Sequence, residues 1–254
     1  MAEIYSKHRV TAFDNPRNTP KDLQNFKDQY QGDDTEDYIH YVLGQHGQPV
    51  FALFDRTLFE FGHYPVLRLE SDGLKDGNLE MYTKIETFPS IKEKNYGIFF
   101  GVDLGYTEPT AISIFYVDEN DKIKFHGRIK LTKVSYPIQE KILDMLTKKF
   151  QPFVVGMDEG QTGKSVRQHL IEEPQYNNSL YKDIFMPIDF SSWTVMGRDS
   201  DGNEIKTKTK PFTVSLLQDY TNNHRIVFSK TDPDMVTELE RMTYSKNPNG
   251  DISY

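Results

Sequence analysis

Two acidic residues stand where apolar, strand-sized segments end. The first segment ends in GVDLG and carries Asp103, and the second ends in VVGMDEG and carries Asp158 followed by Glu159. Carboxylates held close together repel each other unless a cation joins them. Mg²⁺ accepts one or two protein carboxylates and takes its remaining ligands from water and phosphate oxygens. If the two segments are neighbouring strands, these acids predict a divalent-metal site that activates water for phosphodiester cleavage.

Each acid also has an ordinary structural explanation. A single aspartate before a turn is more often part of an Asx turn or a helix cap than a metal ligand. Asp158 in particular stands just before a predicted helix, where it would serve as a cap. The presence of both acids at the carboxyl ends of predicted adjacent strands favours the metal site over two separate structural roles.

The elements that carry these acids predict a mixed α/β fold. Three strands form an antiparallel meander, at residues 96–104, 111–117 and 123–134. Helices and strands then alternate, with a helix opened by Pro137, a strand at 153–157, a helix at about 162–171 and a strand at 184–188. This is the ribonuclease-H-like order, in which a sheet of five or more strands has the order 3-2-1-4-5 and helices on both faces. Strands one and four are then parallel neighbours, and Asp103 and Asp158 emerge at one edge of the sheet.

Basic residues near the acids are candidates for contacts with phosphate groups. The candidate DNA contacts are Lys164, Arg167, Arg198, Lys206, Lys208 and Lys210. A β-hairpin inserted after the fifth strand is predicted where residues 193–198 and 204–209 flank a turn, and the last three lysines alternate along its second arm on one face. Charges that protect a solvated edge strand from aggregation explain these lysines as well as a phosphate-contacting strip does.

The first 95 residues differ in texture from the rest of the chain. They predict a short helix at 20–30, a second helix from Asp34 to Leu43, and then an irregular stretch punctuated by Gly, Pro and Asp. We therefore expect a small helical and linker subdomain at 1–95 and the α/β domain at 96–254.

Composition excludes several classes of protein. The 254 residues contain no cysteine, which excludes disulfide frameworks, thiol nucleophiles and cysteine-ligated zinc. No apolar run approaches the ~20 residues of a membrane helix. The net charge of −8 means that a nucleic acid would need a local basic strip. Gly163-Lys164-Ser165 is not a P-loop, because that motif requires glycine at position 158, where Asp stands.

Four segments together resemble the large terminase subunit of tailed bacteriophages. The segment that closes the terminase ATPase region is similar to residues 13–47, which include FDNP, DLQNFKDQY and DYIHYVLGQHG. GVDLGYTEPTAISIF at 101–115 resembles the first acidic strand of the terminase nuclease, and VVGMDEGQTGKSV at 154–166 resembles the second. Residues 210–245 resemble the final helix, strand and helix before the third acidic motif. The resemblance covers nearly the whole chain.

The resemblance implies a metal-dependent endonuclease that cuts concatemeric viral double-stranded DNA during head filling. Asp103 and Asp158 take the places of the first two metal-binding aspartates, with Glu159 assisting, and two Mg²⁺ or Mn²⁺ ions are expected. The implied partners are DNA, the small terminase subunit and the portal of the procapsid, in the host cytoplasm and without a membrane. Terminases carry a third acid in a later motif, which we expect beyond Tyr254 or absent. The Walker motifs are missing, so ATP hydrolysis is not expected.

Two other functions fit parts of the sequence. GVDLG followed by threonine, and DEGQTG, look like the two phosphate-binding turns of actin-like and sugar-kinase ATPases. In those proteins the turns come from duplicated domains, whereas about 55 residues separate them here. The other alternative is a catalytically incomplete module that docks DNA or the portal, because only two of three metal ligands are identified.

Overall fold

The computed structural model describes the chain in eight ranges. They are residues 11–29, 38, 42–43, 52–73, 79–91, 97–176, 179–246 and 252–253. Two compact units are present, one formed by Leu58–Pro233 and the other by Met1–Thr57 with Asp234–Tyr254. The candidate acids all lie in the first of these units.

The helices and strands alternate through most of the described chain. The strands are β1 (Glu60–Gly62), β2 (Leu67–Asp72), β3 (Ile98–Asp103), β4 (Thr110–Val117), β5 (Ile123–Thr132), β6 (Val154–Asp158), β7 (Phe185–Ile188), β8 (Trp193–Arg198), β9 (Glu204–Lys208), β10 (Ile226–Ser229), β11 (Ser245–Lys246) and β12 (Ile252–Ser253). The helices are α1 (Pro20–Gln29), α2 (Leu79–Thr87), α3 (Tyr136–Phe150), α4 (Gln161–Glu172), α5 (Ser179–Ile184), α6 (Thr209–Asn222) and α7 (Pro233–Glu240). None of the helices in the described ranges combines the length and apolar character that a membrane span requires.

One mixed sheet of eight strands forms the centre of the larger unit. Its order is β1-β10-β5-β4-β3-β6-β7, with β2 also paired to β5. The pairs β3–β4 and β4–β5 are antiparallel, and the other pairs in this sheet are parallel. The run β5-β4-β3-β6-β7 is the predicted order 3-2-1-4-5, so the meander and the two later strands lie as expected. The carboxyl ends of β3, β6 and β7 therefore meet at one edge of the sheet.

The outer edge of β5 carries two further strands, of which β10 is the strand predicted between the final two helices and β2 was not predicted from the sequence. β2 pairs with the second half of β5, from Gly127 to Thr132, and β10 pairs with its first two residues. The stretch 45–95 was expected to be irregular, and for β1, β2 and α2 this expectation is wrong. These strands are three to six residues long and pair only with distant segments, so little in their local pattern distinguishes them from a loop. The predicted boundary before residue 96, between the helical and linker subdomain and the α/β domain, stays a prediction.

Alternating apolar residues of the sheet form one core with the helix that follows β5. Ile112 and Ile114 of β4 and Ile129 and Leu131 of β5 are completely buried. They belong to the same cluster as the buried face of α3, formed by Ile138, Ile142, Leu143 and Leu146. Full burial of such side chains stabilises the fold by about 1.5–3 kcal/mol each. This core holds the β3–β4 and β6–α4 connections in fixed positions.

The smaller unit joins residues from both ends of the chain. Ala52 forms an antiparallel bridge with Thr243, and the Leu53 N–H donates to the Met242 carbonyl at 2.9 Å. The predicted helix at 20–30 is confirmed as α1. The predicted helix from Asp34 to Leu43 lies almost wholly outside the described residues. The last helix expected within residues 210–245 is α7, which ends at Glu240.

Candidate active site

Asp103 and Asp158 are the last residues of two neighbouring parallel strands. The β3–β6 register pairs Gly101 with Gly156 and Val102 with Met157, so the two aspartates come next on each strand. Neighbouring strands lie ~4.8 Å apart, and side chains in register stand on the same face of a sheet. The structure therefore brings these two predicted residues together at the expected edge.

The electrostatics of this pair favour a bound cation. Burial raises the pKa of the Asp103 carboxyl above its usual value, and the nearby charge of Asp158 raises it further. A raised pKa means that the ionised form is unfavourable in this environment. A divalent cation shared by both carboxylates would remove that penalty, and Asp oxygens are ligands that Mg²⁺ prefers. The donor set therefore fits a hard divalent ion.

A close approach of α4 to β6 fixes the Asp158 backbone. Gly163 lies in the first turn of α4, and a Cβ atom there would lie 1.8 Å from the Asp158 carbonyl oxygen. Only glycine permits this contact. On the other side, the Glu159 N–H donates to the Ile188 carbonyl at 2.8 Å. The glycine that made GKS look like part of a P-loop instead lets the helix begin directly against the acidic strand.

Glu159 and Arg167 contact each other. Arg167 Nη2 lies 3.3 Å from Glu159 Oε1, and the side chains are 23% and 29% exposed. The sequence assigned Glu159 to the metal and Arg167 to DNA; both assignments stay predictions. In the structure each partly neutralises the other. Asp158 has no such partner among the ion pairs of the described residues, which leaves it and Asp103 as the stronger candidates for a metal.

A cavity of about 490 Å³ opens beside Asp158. Its lining includes Glu159, Lys164 and Asp189, so one predicted DNA contact lies next to the acids. Asp189 was not among the predicted site residues, although this residue directly follows β7 at the same sheet edge. Its carboxylate accepts hydrogen bonds from the Ser191 N–H and hydroxyl, at 2.8 and 2.5 Å, and these bonds lower its pKa. Across the described ranges, no group of three or more His, Cys, Asp or Glu side chains has a metal-binding arrangement.

The predicted hairpin is present and starts just after residues 189–191 of the cavity wall. β8 and β9 pair so that Lys206 stands opposite Val195 and Lys208 stands opposite Trp193, whose side chain is strongly exposed. Lys206 also contacts Glu204 at 2.9 Å. The placement of Lys210 on the same strand is wrong, because β9 ends at Lys208 and Lys210 lies in the first turn of α6.

Arg198 lies at the far end of the hairpin. It pairs with Glu204 across the two strands, and Arg198 Nη2 lies 3.8 Å from Glu204 Oε1. Its Nη1 donates to the Gly202 carbonyl at 3.2 Å in the turn. Of the six predicted DNA contacts, Lys164 lies in the cavity wall and Arg167 contacts Glu159. Arg198, Lys206 and Lys208 lie on one face of the hairpin, and Lys210 lies in α6.

This chain is similar to known proteins in structure but not in sequence. No protein-family model matches the chain, and no curated protein matches it in sequence. The large terminase nuclease from thermophilic phage G20c aligns over 80% of this chain and 88% of that chain, with a TM-score of 0.51 and 12% identity. A structure of that nuclease with bound cobalt aligns over 81% and 87%, with a TM-score of 0.50 and 12% identity.

The large terminase nuclease domain of P22 aligns over 73% of this chain and 78% of that chain, with a TM-score of 0.40 and 14% identity. At identities this low the comparison concerns the arrangement of the backbone. The G20c match, with a TM-score of 0.51, agrees with a mixed α/β fold in which helices pack on a central sheet. This chain therefore has the fold of the phage large terminase nucleases.

Proposed function

We propose that this chain is the nuclease part of a phage large terminase subunit and cuts concatemeric double-stranded DNA during genome packaging. The observation that carries the proposal is the meeting of Asp103 and Asp158 on adjacent strand ends. The fold likeness to the G20c nuclease supports it, since that likeness extends over 88% of the G20c chain. The proposed reaction is hydrolysis of a phosphodiester bond.

In this proposal Asp103 and Asp158 hold Mg²⁺ or Mn²⁺ at the sheet edge. A divalent ion there supplies activation of water and stabilisation of the departing 3′ oxygen. The G20c nuclease was solved with bound cobalt, which is in line with divalent-ion binding by this fold. A second ion, as the terminase resemblance implies, needs a further carboxylate beyond this pair, and Glu159 and Asp189 are the other acids in the cavity wall beside Asp158.

DNA would lie along the cavity and the exposed face of the hairpin. Lys164, beside Asp158, and Lys206 and Lys208, on β9, would contact phosphates, and neutralised phosphates dominate the affinity of such interfaces. Lys210, Arg167 and Arg198 belong to the same proposed surface. The small terminase subunit and the portal of the procapsid are the proposed protein partners, in the host cytoplasm.

The direct test is cleavage of supercoiled plasmid by the purified chain with Mn²⁺ or Mg²⁺. Asp103→Asn and Asp158→Asn should abolish nicking while keeping the fold. Asp121→Asn is the matched control, because Asp121 lies in the β4–β5 turn at the opposite sheet edge and has a positive φ of 56°, which asparagine tolerates. Nicking by both folded site variants at the rate of the control would refute the assignment.

A second candidate is a docking module that binds DNA or the portal without cutting. It is favoured by one observation, the lack of a three-ligand group in the parts of the chain that the structure describes. Calorimetric titration with Mn²⁺ separates the two. Absence of binding at millimolar Mn²⁺, with DNA binding retained, would favour docking.

A further inference from the structure

Two polar side chains with no exposure to solvent lie beneath the turn that follows Asp103. Thr110 begins β4 and Gln139 lies in the first turn of α3, and both are completely buried. A buried amide or hydroxyl destabilises a fold unless its hydrogen-bonding groups are satisfied. The hydrogen-bond partners of Thr110 and Gln139 therefore indicate which backbone segment these two side chains stabilise.

The Gln139 amide uses all of its groups on one loop and its supports. Nε2 donates to the Gly105 carbonyl and to the Val134 carbonyl, both at 2.8 Å. Oε1 accepts the Thr110 hydroxyl at 2.7 Å. The Gly105 N–H in turn donates to Thr110 Oγ1 at 2.9 Å. Both backbone groups of Gly105 are thus bound to side chains from two other elements.

Gly105 stands two residues after Asp103, in a tight turn. A Cβ atom at this position would lie 2.3 Å from the Glu108 carbonyl oxygen, so the turn has a single compact path. The β-sheet register fixes Asp103 on its N-terminal side. On the C-terminal side of Asp103, the Thr110 and Gln139 side chains hold the Gly105 backbone in place by hydrogen bonds.

We propose that Thr110 and Gln139 are positioning residues that set the orientation of the Asp103 carboxylate for a divalent ion. This inference rests on the proposed nuclease function. Groups that hold metal ligands in place typically change metal affinity or activity by about 10–100-fold when they are altered. A purely structural pair would change stability and leave the affinity for metal untouched.

The test compares Mn²⁺ affinity, measured by calorimetry on the full chain, among four variants. Thr110→Val and Gln139→Met remove the hydrogen bonds with little change in size, and should weaken Mn²⁺ binding about tenfold or more. Thr110→Ser keeps the hydroxyl and should restore the affinity. Thr221→Val is the matched control, because Thr221 is also fully buried but its hydroxyl donates to the Leu217 carbonyl within α6. Its Mn²⁺ affinity should equal that of the unaltered chain.

Hydrogen–deuterium exchange provides a second readout that does not depend on metal. Exchange in the segment 103–110 should accelerate in Thr110→Val and Gln139→Met and stay unchanged in Thr221→Val. If Thr110→Val fails to fold, Gln139→Met carries the test, since it removes the acceptor and both donated hydrogen bonds of the amide.

The outcomes separate this inference from the proposed function. If the unaltered chain binds Mn²⁺ and cuts DNA, and the Thr110 and Gln139 variants bind Mn²⁺ equally well, the positioning role is overturned and the nuclease proposal stands. If the unaltered chain neither binds Mn²⁺ nor cuts, both are overturned. Weaker Mn²⁺ binding in Thr110→Val, rescued by Thr110→Ser and absent in Thr221→Val, supports the positioning role.

Discussion

Replacing Gly163 with alanine should displace α4 from the acidic strand and impair cleavage. The added methyl group would lie 1.8 Å from the Asp158 carbonyl oxygen, whereas ordinary contact begins at 3.4 Å. The backbone must therefore separate by about 1.2 to 1.6 Å, because real Cβ contacts essentially never fall below 3.0 Å and ordinary contact begins at 3.4 Å. A misplacement of about 1 Å near reacting groups costs on the order of 100-fold in rate. We expect Gly163→Ala to lower the rate of plasmid nicking by about that factor.

In a helix without this close contact, replacing glycine with alanine would raise stability, whereas here we expect it to lower stability. Alanine favours a helix over glycine by about 1 kcal/mol, whereas overpacking destabilises by about 1–3 kcal/mol. Urea unfolding should therefore show that Gly163→Ala is less stable than the unaltered chain. Gly160→Ala is the control for stability alone, because its methyl group would meet only Asp158 Oδ2, at an ordinary 3.8 Å. A Gly163→Ala variant that is more stable than the unaltered chain and nicks at the same rate would refute the close-packing argument.

Three further predictions concern charge and pH. Asp103→Asn should raise the thermal midpoint of the metal-free chain near pH 7, because the raised pKa of Asp103 makes its ionised form destabilising; the gain should vanish on acidification, and calorimetric scans at several pH values test this. His126 packs against the rings of Phe88, Tyr116 and Phe150, and burial lowers its pKa to about 4. Since the unfolded chain protonates this histidine near pH 6.5, stability should fall by about 3 kcal/mol between pH 6.5 and 4, and urea unfolding of His126→Phe should lack this component. Replacing Lys206 and Lys208 together by serine should reduce the slope of log affinity for DNA against log salt by about 1.8, measured by fluorescence anisotropy, whereas Lys84→Ser in α2 should leave the slope unchanged.

Local patterns were enough to predict the strands and helices around the site. Alternating apolar residues identified the meander, and the turn at residues 199–203 identified the hairpin that follows β7. Strand order 3-2-1-4-5 then placed Asp103 and Asp158 on neighbouring strand ends. These predictions succeeded because each element carries its own periodicity, and because short connections leave few ways to join consecutive strands and helices.

Other features could not be predicted from local patterns. β2 is defined by pairing with β5, about 60 residues later in the chain, and its own six residues alternate too briefly to mark a strand. The contact between Glu159 and Arg167 joins side chains eight residues apart across the start of α4. Lys210 continued the alternation of the hairpin lysines, yet the chain turns into α6 at Thr209.

The sequence by itself determined the α/β order, the two acids at strand ends and the hairpin with its lysines, because these depend on residue type and short-range spacing. Only the tertiary structure decided which groups surround the acids. The glycine beneath Asp158, the buried amide of Gln139 below the Asp103 turn and the pairing of Arg167 with Glu159 all arise between elements. Such contacts depend on the packing of whole helices and strands against one another, which a one-dimensional pattern does not encode.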